Sequence, residues 1–373
     1  MKYLCYYDKN FDEGRNYVLA ATTKIDYIAK AIKEIGEDVE VISASTISSK
    51  GNFAKRTEIL GGGIKLKLFR AYKWGNLFQK IWATIYSQCS VFFYLLFKVK
   101  KDEKIITYHS LSYMHAIKFA KAIKKFKLIL EVEEIYGDVK NCKKTINKEL
   151  NFFKKADAYI FPTELLNSKI NVKNKPYAIN HGTYNVEKQI ANKFDDGKIH
   201  CVYAGTFDVR KGGALFAIKS AKFLSEKYHL HVLGFGNNDD TNLVKKTIEE
   251  VNSSGKCTVT FDGLKSGEDY IKFIQSCHIG LSTQNPNAKF NDTSFPSKVL
   301  SYMANGLRVV SIKIKALETS GIHELLYYYN EDNPEEIAKA IQSVNVLDNY
   351  DSRAKISELD EQFKQDIKEL LRG

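Results

Sequence analysis

The chain has 373 residues, 44% of them hydrophobic, with 56 Lys+Arg against 44 Asp+Glu and a formal net charge of +12. That length predicts two domains, and the apolar content supports a large core and excludes a disordered chain. Six cysteines with no CxxC pair argue against a disulfide scaffold and against a zinc site, and no metal site is expected.

Charged residues at Lys2, Asp8 and Lys9 come too early for a secretory signal, so a reduced, cytoplasmic protein is expected. In chain order, strands are predicted at Lys2–Tyr6, Val39–Ser43, Lys104–Tyr108, Lys127–Val132 and Ala158–Phe161, with a further one over Lys65–Tyr72. Helices are predicted at Tyr27–Ile35 and Tyr113–Lys125, and Gly61-Gly62-Gly63 is a glycine turn. Ile81 to Phe97 is rich in Phe, Ile, Leu and Tyr and has lysines on both sides. It is too short and too polar at Ser87, Gln88 and Ser90 to span a bilayer comfortably. A buried helix is the favoured reading, and an interfacial helix on a bilayer is the alternative.

The positive charge is uneven. Residues 1–190 hold 33 Lys+Arg and 19 Asp+Glu, a net of +14, and the remainder is close to neutral. The first half therefore faces something anionic. No helix-turn-helix, zinc finger or RNP-type pattern accompanies the charge, so no nucleic acid is expected; an anionic membrane surface is the better candidate.

The pattern pauses over residues 182–198, which end in Asp195-Asp196-Gly197-Lys198. The expected domains are 1–185, 186–345, and a C-terminal helix over 346–373 that docks on the first domain. Beyond the pause, strands are predicted at His200–Ala204, Leu230–Leu233, Thr258–Phe261, Ile279–Ser282 and Leu307–Ile312. Helices are predicted at Gly213–Lys227, Asn242–Val251, Gly267–Gln275, Ser297–Ala304 and Glu335–Ser343. The tail from Ser352 puts Ile356, Leu359, Phe363, Ile367 and Leu370 on one helical face. Strand–helix alternation throughout implies an α/β protein whose two parallel sheets are covered on both faces and meet at a cleft.

Three loops at strand ends in the second half suit phosphate. Gly205-Thr206-Phe207-Asp208-Val209-Arg210-Lys211-Gly212 joins a strand to a helix with two cations at the turn. Gly234-Phe235-Gly236 ends the next strand. Phe295-Pro296-Ser297-Lys298 delivers a hydroxyl, a lysine and backbone N–H groups to a helix start, where the dipole attracts anions. In open parallel sheets, ligands bind outside the carboxyl ends of the strands. The spacing fits neither the Walker nor the GxGxxG pattern. A ligand carrying a diphosphate is expected.

These motifs, with Val259-Thr260-Phe261-Asp262-Gly263-Leu264, Ile279-Gly280-Leu281-Ser282 and Tyr302-Met303-Ala304-Asn305-Gly306, resemble the second domain of GT-B glycosyltransferases. The likeness is to the family-4 type found in bacterial cell-surface polysaccharide synthesis. Asn180-His181-Gly182 resembles the hinge before the donor domain, and the first 180 residues resemble the family in strand order alone. The resemblance implies two Rossmann-like domains facing a cleft and a C-terminal helix crossing back. It implies transfer from a nucleotide-diphosphate sugar, UDP-sugar favoured, to a glycan or lipid-linked glycan, with no other cofactor. The enzyme would sit in the cytoplasm, peripherally on the inner face of the plasma membrane. Carried over, Gly205, Thr206, Arg210, Lys211, Gly234, Gly263, Leu264, Ser294, Ser297, Lys298 and Tyr302 would bind the donor. The chain departs from the pattern where the family places two glutamates eight apart; here they are Thr293 and Ser301. The family's arginine after the first glycine is Thr206, with Arg210 nearby to supply the charge.

Glycosyl transfer needs the leaving diphosphate stabilised and the acceptor hydroxyl deprotonated. Where the family carries a histidine after the fourth strand, this chain has Glu131-Val132-Glu133-Glu134. Glu133 and Glu134 are the expected catalytic carboxylates, against a reading in which they pair with lysines on a solvated loop. His109, after strand Lys104–Tyr108, is a further catalytic candidate. No DxD motif is placed to hold a metal, so metal-independent transfer is expected. A nucleotide-sugar epimerase of similar fold and a non-catalytic nucleotide-binding subunit are the alternatives.

Overall fold

Short runs of β-branched and aromatic residues become interior parallel strands throughout the chain, because both faces of each sheet are covered by helices. The computed structural model describes residues 1–10, 13–48, 51–208, 212–285, 291, 293–331 and 333–372. Two units are present: Met1–Thr183 together with residues from Gln362 onward, and Tyr184–Glu361.

The first unit contains β1 (Lys2–Cys5), α1 (Leu19–Glu34), β2 (Glu40–Ser43), β3 (Arg56–Ile59), β4 (Lys65–Leu68), α2 (Leu77–Lys98), β5 (Lys104–Tyr108), α3 (Met114–Lys124) and β6 (Lys127–Glu131). After these come α4 (Tyr136–Val139), α5 (Lys143–Phe153), β7 (Ala158–Phe161), α6 (Glu164–Ile170) and β8 (Tyr177–Ile179). Among the described residues the sheet order is β3-β4-β2-β1-β5-β6-β7-β8, parallel except for the β3–β4 hairpin. Gly62 and Gly63, both at positive φ, turn that hairpin. A β-branched residue there would be strained.

The second unit contains β9 (Ile199–Thr206), α7 (Gly213–Ser220), β10 (Tyr228–Phe235), α8 (Asn238–Ser254), β11 (Thr258–Gly263), α9 (Gly267–Ser276) and β12 (Ile279–Ser282). Then follow α10 (Lys298–Ala304), β13 (Arg308–Ile312), α11 (Lys315–Glu318), β14 (Leu326–Tyr329), α12 (Pro334–Gln342) and α13 (Ser352–Arg372). Its strands run in the order β11-β10-β9-β12-β13-β14, all parallel. The order reverses between β9 and β12, the switch point where such sheets bind ligands at their carboxyl ends.

Several elements differ from expectation. α1 begins at Leu19, well before Tyr27, and its buried face includes Ala21, Thr22, Lys24 and Ile25. The helix predicted over Gly213–Lys227 ends at Ser220 and tightens into a 3₁₀ turn. The favoured reading of Ile81–Phe97 as a buried helix holds for one face only. α2 buries Ala83, Ser87, Val91, Tyr94 and Leu95, while Phe78 (78%), Trp82 (51%) and Phe97 (72%) lie exposed on its other side. All six cysteines are free thiols.

The tail helix α13 buries Ile356, Phe363, Ile367 and Leu370, and half-buried Leu359 completes a stripe spaced at three or four residues. Its first turns pack in the second unit, where Arg353 donates to the Asn305 carbonyl at 2.8 Å. Its last turns pack in the first, where Phe363 stacks on Tyr27 and Lys364 pairs with Glu34 at 2.8 Å.

Candidate functional site

In the second unit, three pieces meet at the carboxyl end of β9. Tyr203 is buried there, and Lys298 at the start of α10 donates to its hydroxyl at 2.7 Å. The ammonium also lies 3.9 Å from the Tyr203 ring centroid, a cation–π contact. A Cβ built on Gly205 would strike Lys298 Nζ, and one on Gly213 would lie 2.8 Å from the Tyr203 hydroxyl. The start of α7 and the start of α10 therefore converge on one strand end, and at 213, where a Cβ would also lie 2.6 Å from the Thr283 carbonyl, the approach requires glycine.

The helix starts of this unit divide into two kinds. α8, α9 and α12 carry acids in their first turns: Asp239 and Asp240, Glu268 and Asp269, Glu335 and Glu336. Those acids offset the positive end of each helix. α7 and α10 carry no acid in their first turn and no side-chain cap. Gly212, at φ +68°, sets the chain into α7. The first turn of α13 lacks acids as well, and of these starts α7 and α10 are the ones that flank Tyr203.

The remaining donor-side residues fall into place around this point. Gly234, at φ +143°, lets β10 pass so close that a Cβ would strike the Gly205 carbonyl. Thr206 is exposed and lines a groove of about 600 Å³ with Phe207, Asp208, Phe235, Gly236, Asn237 and Asp240. Gly263, at φ +74°, ends β11 and leaves Leu264 67% exposed. Ser294 is half-buried and Ser297 exposed, just before Lys298. Tyr302 lies in the core: its hydroxyl accepts the Ala204 N–H at 2.8 Å and reaches the Leu281 carbonyl at 3.5 Å. It ties β9 to β12 beneath the site. Arg210 and Lys211 lie outside the described residues.

In the first unit, the carboxyl ends of β1, β6 and β8 gather a polar cluster. Glu131 is fully buried, accepts from the Tyr3 hydroxyl, and keeps Oε1 without a partner. Burial, and then the Glu133 charge, push its carboxyl well above the usual carboxylate range, against the pull of Lys24. Lys24, from α1, reaches Glu133 at 2.6 Å and the Asn180 carbonyl at 2.7 Å. The Asn180 amide is buried, with neither its nitrogen nor its oxygen partnered. His181 Nδ1–H donates to the Pro162 carbonyl at 2.7 Å. Burial pulls its pKa down to about 4, so the imidazole is neutral at pH 7.

The expectation for His109 is not met at this surface. It is 1% exposed, with Nε2 on Glu149 at 2.8 Å and its ring packed among Tyr136, Phe152 and Phe153. Glu149 also accepts the N–H groups of Tyr136 and Gly137. The pair is a strut that fixes the start of α4. Glu133 and Glu134 are half-buried, and Glu134 raises the Tyr136 hydroxyl after burial has done so. Lys24 and Asn180 complete the cluster, and sequence reasoning assigned neither a role at the strand ends. The signal for Lys24 was a lone lysine on an otherwise apolar helix face.

Residues 198–345, within the second unit, match the family model for glycosyl transferases group 1. No curated protein matches the chain by sequence. Solved structures share its fold over its whole length. A trehalose-6-phosphate structure from E. coli bound with UDP-2-fluoro glucose is 11% identical, with a TM-score of 0.69, covering 100% of this chain and 99% of its own. Anabaena HepE in complex with UDP and glucose is 14% identical at a TM-score of 0.65, with the same coverage. An α,α-trehalose-phosphate synthase (UDP-forming) from Burkholderia xenovorans, in complex with glucose-6-phosphate, is 10% identical at 0.63, again with that coverage. The chain has the GT-B fold of two parallel-sheet Rossmann-like domains.

Proposed function

We propose that the protein is a glycosyltransferase that moves a sugar from a nucleoside-diphosphate sugar, UDP-sugar foremost, to a lipid-linked glycan in surface polysaccharide synthesis. The single observation that carries this is Lys298 held over Gly205 and Tyr203 between two helix starts that lack acids. A departing diphosphate gains negative charge as the glycosidic bond breaks. A fixed ammonium and preorganised N–H groups stabilise that charge more than they stabilise the bound donor. Thr206, Arg210, Lys211, Ser294 and Ser297 belong to the same two loops and are assigned to the diphosphate. Gly263 and Leu264 are assigned to the base. The group 1 domain match and the UDP complexes of similar structures support the class of donor.

The acceptor hydroxyl must lose a proton, and Glu133 is assigned as the base that takes it, with Lys24 orienting its carboxylate. Glu131 and Asn180 are assigned to acceptor hydroxyls, since their unpartnered buried atoms suit hydrogen bonds. The lipid part of the reading rests on α2. Its exposed aromatics, with Lys73, Lys80, Lys98 and Lys100 exposed around them, match an anionic bilayer surface. No described helix is long and apolar enough to cross a membrane.

A thermal-shift series with UDP, GDP, CDP and ADP sugars tests the donor half. UDP-sugars raise Tm and the others do so weakly; failure of all four to shift it sinks the reading. Release of UDP only when acceptor is added separates a transferase from an epimerase or a binding subunit. The transfer rate is expected to be insensitive to EDTA.

A further inference from the structure

The opposite end of the same sheet carries a second cluster. His200 is the second residue of β9, and His229 and His231 are the second and fourth of β10. The β9–β10 register pairs His229 with His200, and residues two apart share a face, so all three imidazoles project to one side. Thr260 and Asp262 of β11 lie beside them, with Thr260 paired to His231. One ring nitrogen of each histidine lies within 4.8 Å of those of the other two.

The proton inventory shows what is missing. His200 Nε2 faces the Asp196 carboxylate at 2.8 Å, and His231 Nδ1 faces the Asp262 carboxylate at 3.1 Å. A carboxylate at neutral pH only accepts, so both of those nitrogens carry hydrogen. The other nitrogens, His200 Nδ1 and His231 Nε2, then face each other at 2.8 Å with lone pairs. Two lone pairs at that distance need a cation between them. His229 brings a third imidazole, its ring stacked 4.1 Å from that of His231. At 2.8 Å the pair has the spacing of a proton bridge, which serves two nitrogens; a divalent transition metal serves three once the two part to the roughly 3.3 Å that bonds of about 2.0–2.1 Å to one tetrahedral ion require. Carboxylates on the outer N–H groups are also what metal-bound histidines use to fix their tautomer and orientation.

We infer that His200, His229 and His231 bind a divalent transition metal, zinc foremost, with Asp196 and Asp262 as the carboxylates that orient them. Imidazole ligands suit zinc, and the half-buried edge at His229 admits water as a fourth ligand. His200 lies five residues from Gly205 on the same strand, roughly 16 Å away at the rise of a strand. The metal therefore acts as a staple that joins β9 and β10 and the Asp196 loop, remote from the diphosphate end. Phe194, packed on His200 and His231, closes the site from that loop.

The test uses the full chain without a polyhistidine tag, stripped with chelator and titrated with zinc by calorimetry. One zinc per chain is expected, with a raised Tm, and cobalt in its place is expected to give the visible absorption of a tetrahedral site. His229→Ala is expected to weaken zinc by more than about 100-fold, and Asp262→Asn by about tenfold to 100-fold. Both variants should keep their stabilisation by UDP, which reports an intact fold at the other end of the sheet. Zinc affinity in His229→Ala equal to the parent's overturns the inference. If that variant does not fold, Asp262→Asn decides: unchanged affinity there, or cobalt without imidazole coordination in X-ray absorption, overturns it equally.

Discussion

The strand ends of the two units are built from opposite chemistry. In the second, glycines clear a space that a lysine and two helix starts without acids fill with positive charge. In the first, a strongly basic region turns carboxylates inward: Glu131 and Glu133 meet a single lysine, beside an unpartnered amide. The contrast teaches that net charge does not identify a site. The +14 of residues 1–190 lies largely on the surface, while the polar groups at the strand ends are acidic. On the proposed reading, one end receives an anion and the other a proton.

Glu133→Gln attacks the contrast most directly. Turnover is expected to fall about 100-fold to 10,000-fold while UDP affinity stays unchanged, measured by initial rates and calorimetry. Equal losses of donor binding and turnover would place Glu133 on the wrong side of the comparison. Lys298→Ala is next. We expect kcat/KM to drop about 100-fold to 1,000-fold, with UDP affinity falling too. An unchanged rate removes the ammonium from the reaction. A Phe78→Ser, Trp82→Ser double variant is expected to bind anionic vesicles about tenfold or more less tightly, with its far-UV circular dichroism preserved. Unfolding instead would mean that this face of α2 is covered. The smallest effect concerns His181. Its folded pKa, about 4, lies below the ordinary imidazole value, so its contribution to stability is present above about pH 6.5 and is lost as pH falls towards 4. The drop in Tm between pH 7 and pH 5 should be smaller in His181→Gln than in the parent, whatever their Tm at pH 7.

Much of the second unit was legible in the sequence. Gly205, Gly234 and Lys298 sit at strand or helix ends that local composition marks, and their contacts follow from a fixed topology. The first unit was less so. Glu133 stood out because three carboxylates follow an apolar strand, but its partner Lys24 is more than a hundred residues away, and a lysine on a mostly apolar helix face does not say which carboxylate it meets. His109 misled because a histidine after a strand reads the same whether it faces solvent or, as here, a buried glutamate. α2 read as buried because hydrophobicity alone does not say which face finds a partner. The strands β3, β8 and β14 were missed because they lie at sheet edges, where fewer of their residues are buried and the apolar run is broken. The histidine cluster was half visible, as His229-Leu230-His231 alternates along one strand. That His200 joins it depends on the β9–β10 register, which no local pattern supplies.

One consequence follows from where α13 ends. Tyr27 of α1 stacks on Phe363 of α13, more than three hundred residues later in the sequence. During synthesis the ribosome releases all of the Tyr184–Glu361 unit before that ring arrives, so the unit made first is completed last. A nascent chain halted before Gln362 would leave Tyr27 of α1 without its cover, a hydrophobic surface open to chaperones for as long as translation takes.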